Sequence, residues 1–453
     1  MSEQANSAAV STAPTTKDLK RVLGRKELMS LAIGQIIGAG IMALMGTAIG
    51  MTGRSVFYAF LLSTVFVVID SLGSILIGGT VRLRGGDYTK MAALVGKRTA
   101  GAYVICDFIW NIGIAILPLS FADYLQSLIP GIPIKATALV VLTLFFVINL
   151  FGVKKAALIE TIMLVVMGLA LGSFVVFGMP QVQPGAFGGV SNYLLNGPVG
   201  IISAAAFLTY ATSGSFVVIS YSGECKHPTK DIPFVLIAST LVVAGIYAVI
   251  SIVAAGVLPI EQVADQSLAL VAKKILPEPL FIFFIVGGCL FSLATTLNAT
   301  FSWITKSLLQ ASVDGWFPKK FGTLNKHGAP IYILTMYYLL GVVPIVFGFD
   351  IEFVADFALI LSYAFNFAFS YAIIRLPKVF PEQWKRSSYH CSNGMLWVCA
   401  ALTVGMSVLN ICMLGSDLNP VMIIGNIASL AFAYIYAFLR EKHVDMEVSY
   451  EDD

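Results

Sequence analysis

Apolar residues fall in successive blocks of about twenty along nearly the whole chain, with polar, Gly- and Pro-containing segments between them. A block of that length lets a helix cross a bilayer, and lipid leaves helix as the choice because it offers the backbone no hydrogen-bonding partner. The blocks predict an all-α polytopic membrane protein of about twelve spans, near 28–50, 55–79, 101–126, 136–152, 156–178, 199–222, 233–257, 279–303, 331–349, 353–375, 395–415 and 420–439. Residues 1–26 and 441–453 lie outside the pattern and are expected to be polar tails. The first of these lacks the basic, apolar and cleavage segments of a signal peptide.

Two blocks are interrupted. The first holds Gly34, Gly38 and Gly40, three glycines in seven residues, which weaken helix propagation. They serve either close helix packing or an unwound stretch whose backbone meets a ligand. The sixth carries Tyr210, Ala211, Thr212, Ser213, Gly214 and Ser215 in its middle third. Matched interruptions in two halves of a chain are the sequence sign of an inverted-repeat transporter. The expected repeats are 27–178 (helices 1–5) and 197–375 (helices 6–10), with helices 11 and 12 over 395–440 as an appendage and helices 1 and 6 discontinuous.

A broken helix leaves N–H groups bare on one half and C=O groups bare on the other, and a zwitterion satisfies both. The expected carboxylate site is the amides of Gly38, Ala39 and Gly40, at the positive end of a half-helix. Carbonyls around Ile36, Ile37 and Tyr210 to Ser213 are expected to take the ammonium. No acidic residue lies beside either break in the sequence, which favours a zwitterion over an amine.

Composition supports the membrane class: 58% of residues are hydrophobic and 12% charged, against about 45–50% and about 25% in an ordinary globular domain. The net charge of +3 implies no nucleic-acid face; the placement of the charges says more. With the N-terminus inside, the inner segments hold 24 of the 28 Lys and Arg residues, and the outer ones only Arg54, Lys135, Lys273 and Lys274. Both termini are therefore expected on the cytoplasmic side of the plasma (inner) membrane. All four histidines lie in inner loops or the tail, so none is expected as a midplane proton relay, and the six cysteines are expected to be free thiols. No P-loop, hydrolytic triad or metal-ligand spacing is present, so neither enzyme activity nor a cofactor or metal is expected, and a gradient must drive any transport.

Intramembrane polar residues supply further candidates. Asp107 and Asn111 lie one turn apart in span three, and Asp70 sits in span two; a charge in a span is a functional candidate, though an interhelical hydrogen bond is an equally simple role. Span eight carries Ser292, Thr295, Thr296 and Asn298, hydroxyls and an amide able to complete a cation site or to back-bond to their own helix. Ser362 and Asn366 share a face of span ten. Glu224, Lys226, Lys230 and Asp231 after span six, and Lys306 and Asp314 after span eight, are charges that could form a salt-bridge gate on the inner side, with Tyr210 a further gate candidate above them.

Four segments in order resemble the amino acid, polyamine and organocation transporter superfamily: Gly38–Met42; Gly85, Gly86, Asp87, Tyr88; Gly223 through Pro233; and Val313 through Pro330. The resemblance covers nearly the whole chain and implies a LeuT-type 5+5 inverted repeat. It also implies that Gly38, Ala39 and Gly40 hold a substrate carboxylate and that Tyr210 is an aromatic gate. Three positions depart from its pattern: Ala39 replaces a frequent Ser, Phe216 a frequent Glu, and Met167 a lysine of several relatives. The expected substrate site is Gln35, Ile37, Gly38, Ala39, Gly40, Ile41, Asn111, Tyr210, Thr212, Ser213, Gly214, Ser215, Phe216, Thr296, Ser362 and Asn366, with Asp70, Asp107 and Thr295 as coupling or charge candidates. The expected function is secondary transport or exchange of small neutral amino acids, with amine or polyamine carriage as the alternative and a non-transporting receptor or scaffold behind both. H+ and Na+ are the candidate coupling ions, and monomer and homodimer are both compatible with the sequence.

Overall fold

Helix occupies each predicted block, and glycine and proline set most of the places where it stops. The computed structural model describes residues 20–188, 194–349, 351–414, 420–446 and 450–451; the rest of the two predicted tails lies outside the described residues. The first half runs α1 Arg25–Ile36, α2 Ala39–Thr52, α3 Val56–Asp70, α4 Leu72–Gly78, β1 Arg82–Leu83, α5 Gly86–Leu94, α6 Lys97–Trp110, α7 Ile116–Leu128, α8 Ile134–Leu150 and α9 Val153–Gly178. Then come α10 Gly197–Thr212, a 3-10 stretch Ser215–Tyr221, α11 Pro228–Gly256, α12 Ile260–Val263, α13 Leu268–Ile275 and α14 Glu278–Phe283. A π-helical stretch Phe284–Leu290 leads into α15 Phe291–Trp303, α16 Thr305–Asp314, α17 Ile331–Phe347, α18 Ile351–Val379, α19 Pro381–Arg386, α20 Asn393–Leu414, α21 Pro420–Arg440 and β2 Tyr450–Glu451.

Among the described residues, eight stretches are long and apolar enough to cross a membrane: Leu44–Asp70, Lys97–Gln126, Val153–Gln181, Gly197–Tyr221, Pro228–Gly256, Glu278–Asp314, Asn393–Cys412 and Pro420–His443. Two shorter apolar helices, Ile134–Leu150 and Ile331–Phe347, accompany them. The chain is thus a mostly helical, multi-pass membrane protein. Its outer faces carry Val140, Leu158, Val176, Val199, Ile424 and Leu439, each more than half exposed, a band that water penalises and lipid solvates. One detail departs from a purely helical expectation: Arg82–Leu83 pairs antiparallel with Tyr450–Glu451, drawing the end of the chain onto the loop after α4.

Packing brings the interrupted segments to the centre. α10 lies against α2 and α3, α11 against α3, and α1 against α9, α11 and α15. Ile36, Ile37, Ile41, Ala211, Tyr247 and Phe284 share one buried cluster, while Tyr103, Phe301, Trp316 and Tyr337 belong to another formed mainly by α6, α15, α16 and α17. The π stretch contains Gly287, where an added Cβ would stand 3.2 Å from the Ala170 Cβ of α9, so a single missing side chain lets two spans close together.

Candidate functional site

The first break is made by two residues that leave the helical region. Ile37 has φ −79° and ψ 86°, and Gly38 has φ −120° and ψ −155°; α2 then starts at Ala39 without a side-chain cap. The amides of Ala39, Gly40 and Ile41, in the first turn of α2, have no carbonyl one turn back. The second break is sharper: Ser213 is extended, and Gly214 takes φ 145°, a left-handed value that favours glycine. The chain then resumes as the tighter 3-10 helix.

The two breaks abut. A Cβ on Gly214 would stand 3.0 Å from the Gln35 carbonyl and the Ile36 Cα, and one on Gly40 would stand 2.8 Å from the Ala211 Cα. A Cβ on Gly38 would meet Thr296 Oγ1 at 2.8 Å. The positive end of α2 therefore meets the negative, carbonyl end of α10 across glycines that no larger residue can replace without movement.

Side chains around this junction divide into those that face it and those held by the scaffold. Thr296 Oγ1 donates to the Gly34 carbonyl at 3.1 Å, joining α15 to the last turn of α1. Gln35 Oε1 accepts from Trp303 Nε1 at 3.3 Å and Thr300 Oγ1 at 3.4 Å, and Trp303 meets Phe216 edge-on at 5.8 Å between centroids. Phe216 and Tyr210 are exposed, Ser213 is half-buried, and Ile37 and Ile41 are buried in the packing beside the break. Thr212 instead donates to Ser63 of α3 at 3.2 Å, and Ser215 accepts from Thr240 of α11 at 3.0 Å. Both hydroxyls serve the scaffold. Thr295 back-bonds to Ser292 in its own helix, at 2.9 Å. Ser362 and Asn366 are half-buried on α18, and Asn366 supplies its backbone carbonyl to Ser370.

The charged candidates also separate. Asp107 is buried, its neighbours being Asn111, Tyr103 and Tyr337, none of which belongs to either break; Asn111 Nδ2 donates to the Asp107 backbone carbonyl at 2.7 Å. Asp70 is exposed at the end of α3, and the Tyr363 hydroxyl of α18 lies within electrostatic range of it and of Tyr210. Lys226 is exposed, and it is Lys306 of α16 that pairs with the buried Glu224, at 2.6 Å.

Two statements read from the sequence need correction. The Ile36 carbonyl is not free for an ammonium: Tyr247 OH donates to it at 3.2 Å and the Gly38 amide at 2.9 Å. An acidic group does lie beside the first break: Glu160 of α9 is fully buried, and a Cβ on Gly34 would stand 1.7 Å from its Oε1. The signal for Glu160 was present, a lone carboxyl in the apolar 156–178 block, which lipid makes a functional candidate.

Below the breaks, at the end bearing the basic loops, the segments are latched together. Arg25 bridges to Asp231 at 2.8 Å, and Arg82 donates to the Ser222 and Gly223 carbonyls at 3.2 and 2.8 Å. Tyr88 donates to Asp314 at 2.7 Å, and Leu23 pairs with Cys225 through the backbone. This latch joins α1 and the segment after the second break to the loops that follow α4 and α15.

Comparison with known proteins gives this arrangement a context. The sequence profile of the family described as "Amino acid permease" matches residues 23–439. The chain is 26% identical to the branched-chain amino acid permease BcaP of Bacillus subtilis over 71% of its own length and 73% of the relative's. It is 24% identical to the D-serine/D-alanine/glycine transporter of Escherichia coli O6:H1 over 98% of both chains. A methylthioribose transporter of Bacillus subtilis is 23% identical over 68% of this chain and 71% of its own.

Proposed function

Because the chain belongs to the amino acid permease family, we propose that it carries small neutral amino acids across the membrane by alternating access, as a secondary transporter or exchanger. One observation carries the reading. The bare amide end of α2 meets the carbonyl end of α10 where Gly40 packs on Ala211. An α-carboxylate suits the amides and an α-ammonium the carbonyls, so the part common to all amino acids is held by backbone alone. Phe216 and Trp303 offer an aromatic wall with no carboxylate, which suits an uncharged side chain. Two relatives are named for branched-chain amino acids and for D-serine, D-alanine and glycine, none of which bears a side-chain charge.

The same proposal includes twelve spans in a LeuT-type 5+5 repeat over 27–178 and 197–375, both termini in the cytoplasm and residence in the plasma membrane. Alternating access follows if α1 and the segment after the second break swing together, since both are tied to one latch. Amine carriage needs a carboxylate open to the junction; the neighbours of Asp107 belong elsewhere, and Glu160 is fully buried between Asn298 of α15 and the backbone of α1 at Gly34. Counterflow in proteoliposomes tests the reading: labelled glycine, alanine or isoleucine should rise transiently above equilibrium in vesicles preloaded with the same amino acid, well beyond the level in empty ones. Equal labelling of both, or counterflow with putrescine alone, overturns it.

A further inference from the structure

Glu160 has no role in holding the zwitterion, yet it is the acidic group packed against the moving part of the site. Its Oε2 accepts from Asn298 Nδ2 of α15 at 2.7 Å, and Asn298 is held in turn by the Ala156 carbonyl and by Asn149, at 3.0 and 3.2 Å. Its Oε1 is buried without a hydrogen-bond partner and rests on the backbone of α1 at Gly34. Gly34 is two residues from the end of α1, where the carbonyls of the last turn make the negative pole of a half-helix. An ionised carboxylate there would be desolvated, served by a single amide donor and set against a like partial charge. A neutral carboxyl has an O–H to donate into that same pole. A bound metal cation is a poorer match, because the Gly34 carbonyl lies 3.1 Å from the Thr296 hydroxyl as a hydrogen-bond acceptor and, among the described residues, no group of three His, Cys, Asp or Glu side chains could hold a metal ion.

We propose that Glu160 is the proton-carrying group of this transporter: protonated, it seats α1 against α9 and α15 with the inner end latched; on losing its proton to the inner side, it releases α1. The proton binds from water on the outer side of the cycle and leaves to the cytoplasm with the amino acid, so that one proton enters per substrate. The idea rests on the transport reading above.

Few other charges could play the part. Of the ionisable groups of α1, Arg25 pairs with Asp231 of α11, Lys26 is exposed and Glu27 accepts from the Gly24 amide, all at the far end of that helix. α15 brings no ionisable side chain and the π stretch brings Cys289; α8 brings Lys135 at its start, α14 brings the exposed Glu278, α11 brings Tyr247, whose hydroxyl donates to the Ile36 carbonyl, and α9 itself opens with the exposed Lys154 and Lys155. Lys273 and Lys274 end α13 at the opposite side of the membrane. The Tyr221 hydroxyl lies within electrostatic range of both Glu160 and Glu224, and Glu224 is neutralised by Lys306. Two turns along α9, on the same face as Glu160, Met167 is apolar and buried.

The test uses full-length protein in proteoliposomes with a tritiated mixture of L-amino acids, glycine and D-alanine. Counterflow reports translocation; accumulation into neutral vesicles from an acid medium reports coupling. Wild type should do both, and Glu160→Gln, fixed in the seated form, should still bind the counterflow substrate in a thermal-shift titration while losing both counterflow and the accumulation driven by the pH gradient. No counterflow in the wild type would sink the transport reading itself. Undiminished accumulation in Glu160→Gln, or wild-type accumulation that follows a Na+ gradient at equal pH, would sink the proton assignment alone. A wild-type measurement stands beside these in case the variant does not fold. Cys225 is buried in the inner seam and Cys391 is partly exposed. In inside-out vesicles, the ratio of Cys225 to Cys391 labelling by an impermeant maleimide should rise about tenfold per pH unit over the range where one proton is lost, then level off. A ratio that stays constant with pH overturns the proposal.

Discussion

The two helix breaks lie against each other and are built differently. At the first, Ile37 and Gly38 use backbone values open to many residues, and polar side chains from other helices crowd in: Thr296, Tyr247, Gln35 with Trp303, and Glu160. At the second, a glycine at φ 145° makes the turn, and the neighbouring hydroxyls of Thr212 and Ser215 are spent on α3 and α11. The first is thus a break with chemistry around it and the second a break held by its scaffold. Helix dipoles explain the division of labour: the amide end that attracts an anion belongs to α2, after the first break, so groups tuning charge have most effect there.

Substitutions can break that contrast. Gly40→Leu should abolish binding, because even a Cβ stands 2.8 Å from the Ala211 backbone and a branched side chain fills the space where amides must approach a carboxylate. A thermal-shift titration with the counterflow substrate would show it as loss of any ligand-induced rise. Gly214→Ala should instead cost about 1–3 kcal/mol in stability from a left-handed φ, with binding weakened but present. If Gly214→Ala abolished binding while Gly40→Leu spared it, the carboxylate site would belong to the second break.

The latch below the second break gives the next largest effect. Lys306→Met leaves Glu224 buried without its countercharge, which typically costs about 3–5 kcal/mol. The apparent Tm of the detergent-solubilised protein should fall accordingly, and Glu224→Gln added to Lys306→Met should restore most of it. A double variant as unstable as the single one would mean that the pair contributes packing and not charge balance.

How much of this was legible in the sequence follows the same contrast. Both breaks were visible, because interruptions fall at matching places in the two halves where either set of glycines alone could have served close packing, and the apolar blocks themselves located the helices. The partners were not. Glu160 stands four residues into a block expected to begin at 156, and only the crossing of α9 over Gly34 shows what it touches. Thr212 and Ser215 looked like ligands for the same reason that Gly214 did, proximity to a break. Thr212 ends the α-helix α10 and Ser215 begins a 3-10 stretch whose side chains turn with a different period, so proximity to the break did not fix which way either faces. Lys226 likewise sits two residues from Glu224, yet Lys306, eighty-two residues further on, makes the ion pair.

Smaller effects should come from side chains at the junction, and Phe216→Glu is the more pronounced of these. A carboxylate placed beside Trp303 gives a cationic side chain the countercharge that the wild-type wall lacks. Arginine or lysine should then compete in counterflow where they do not in wild type, with neutral substrates weakened. Unchanged exclusion of both would place the side-chain pocket away from Phe216.

The finest distinction is between Ser213 and Thr212, adjacent residues with hydroxyls that the scaffold treats differently. Thr212 is buried and donates to Ser63 as well as to the Leu208 carbonyl, so Thr212→Ala removes an interhelical hydrogen bond worth about 1 kcal/mol and should lower Tm slightly without altering substrate order. Ser213 is half-buried at the extended residue between the two parts of the second break. Its replacement by alanine should leave Tm unchanged and shift the preference between serine and alanine as substrates by about 1 kcal/mol, the size of a single neutral hydrogen bond. Competition counterflow with the two amino acids measures that shift. A change in preference from Thr212→Ala and none from Ser213→Ala would mean that Thr212 leaves Ser63 when substrate binds, and that the second break takes part in the chemistry as fully as the first.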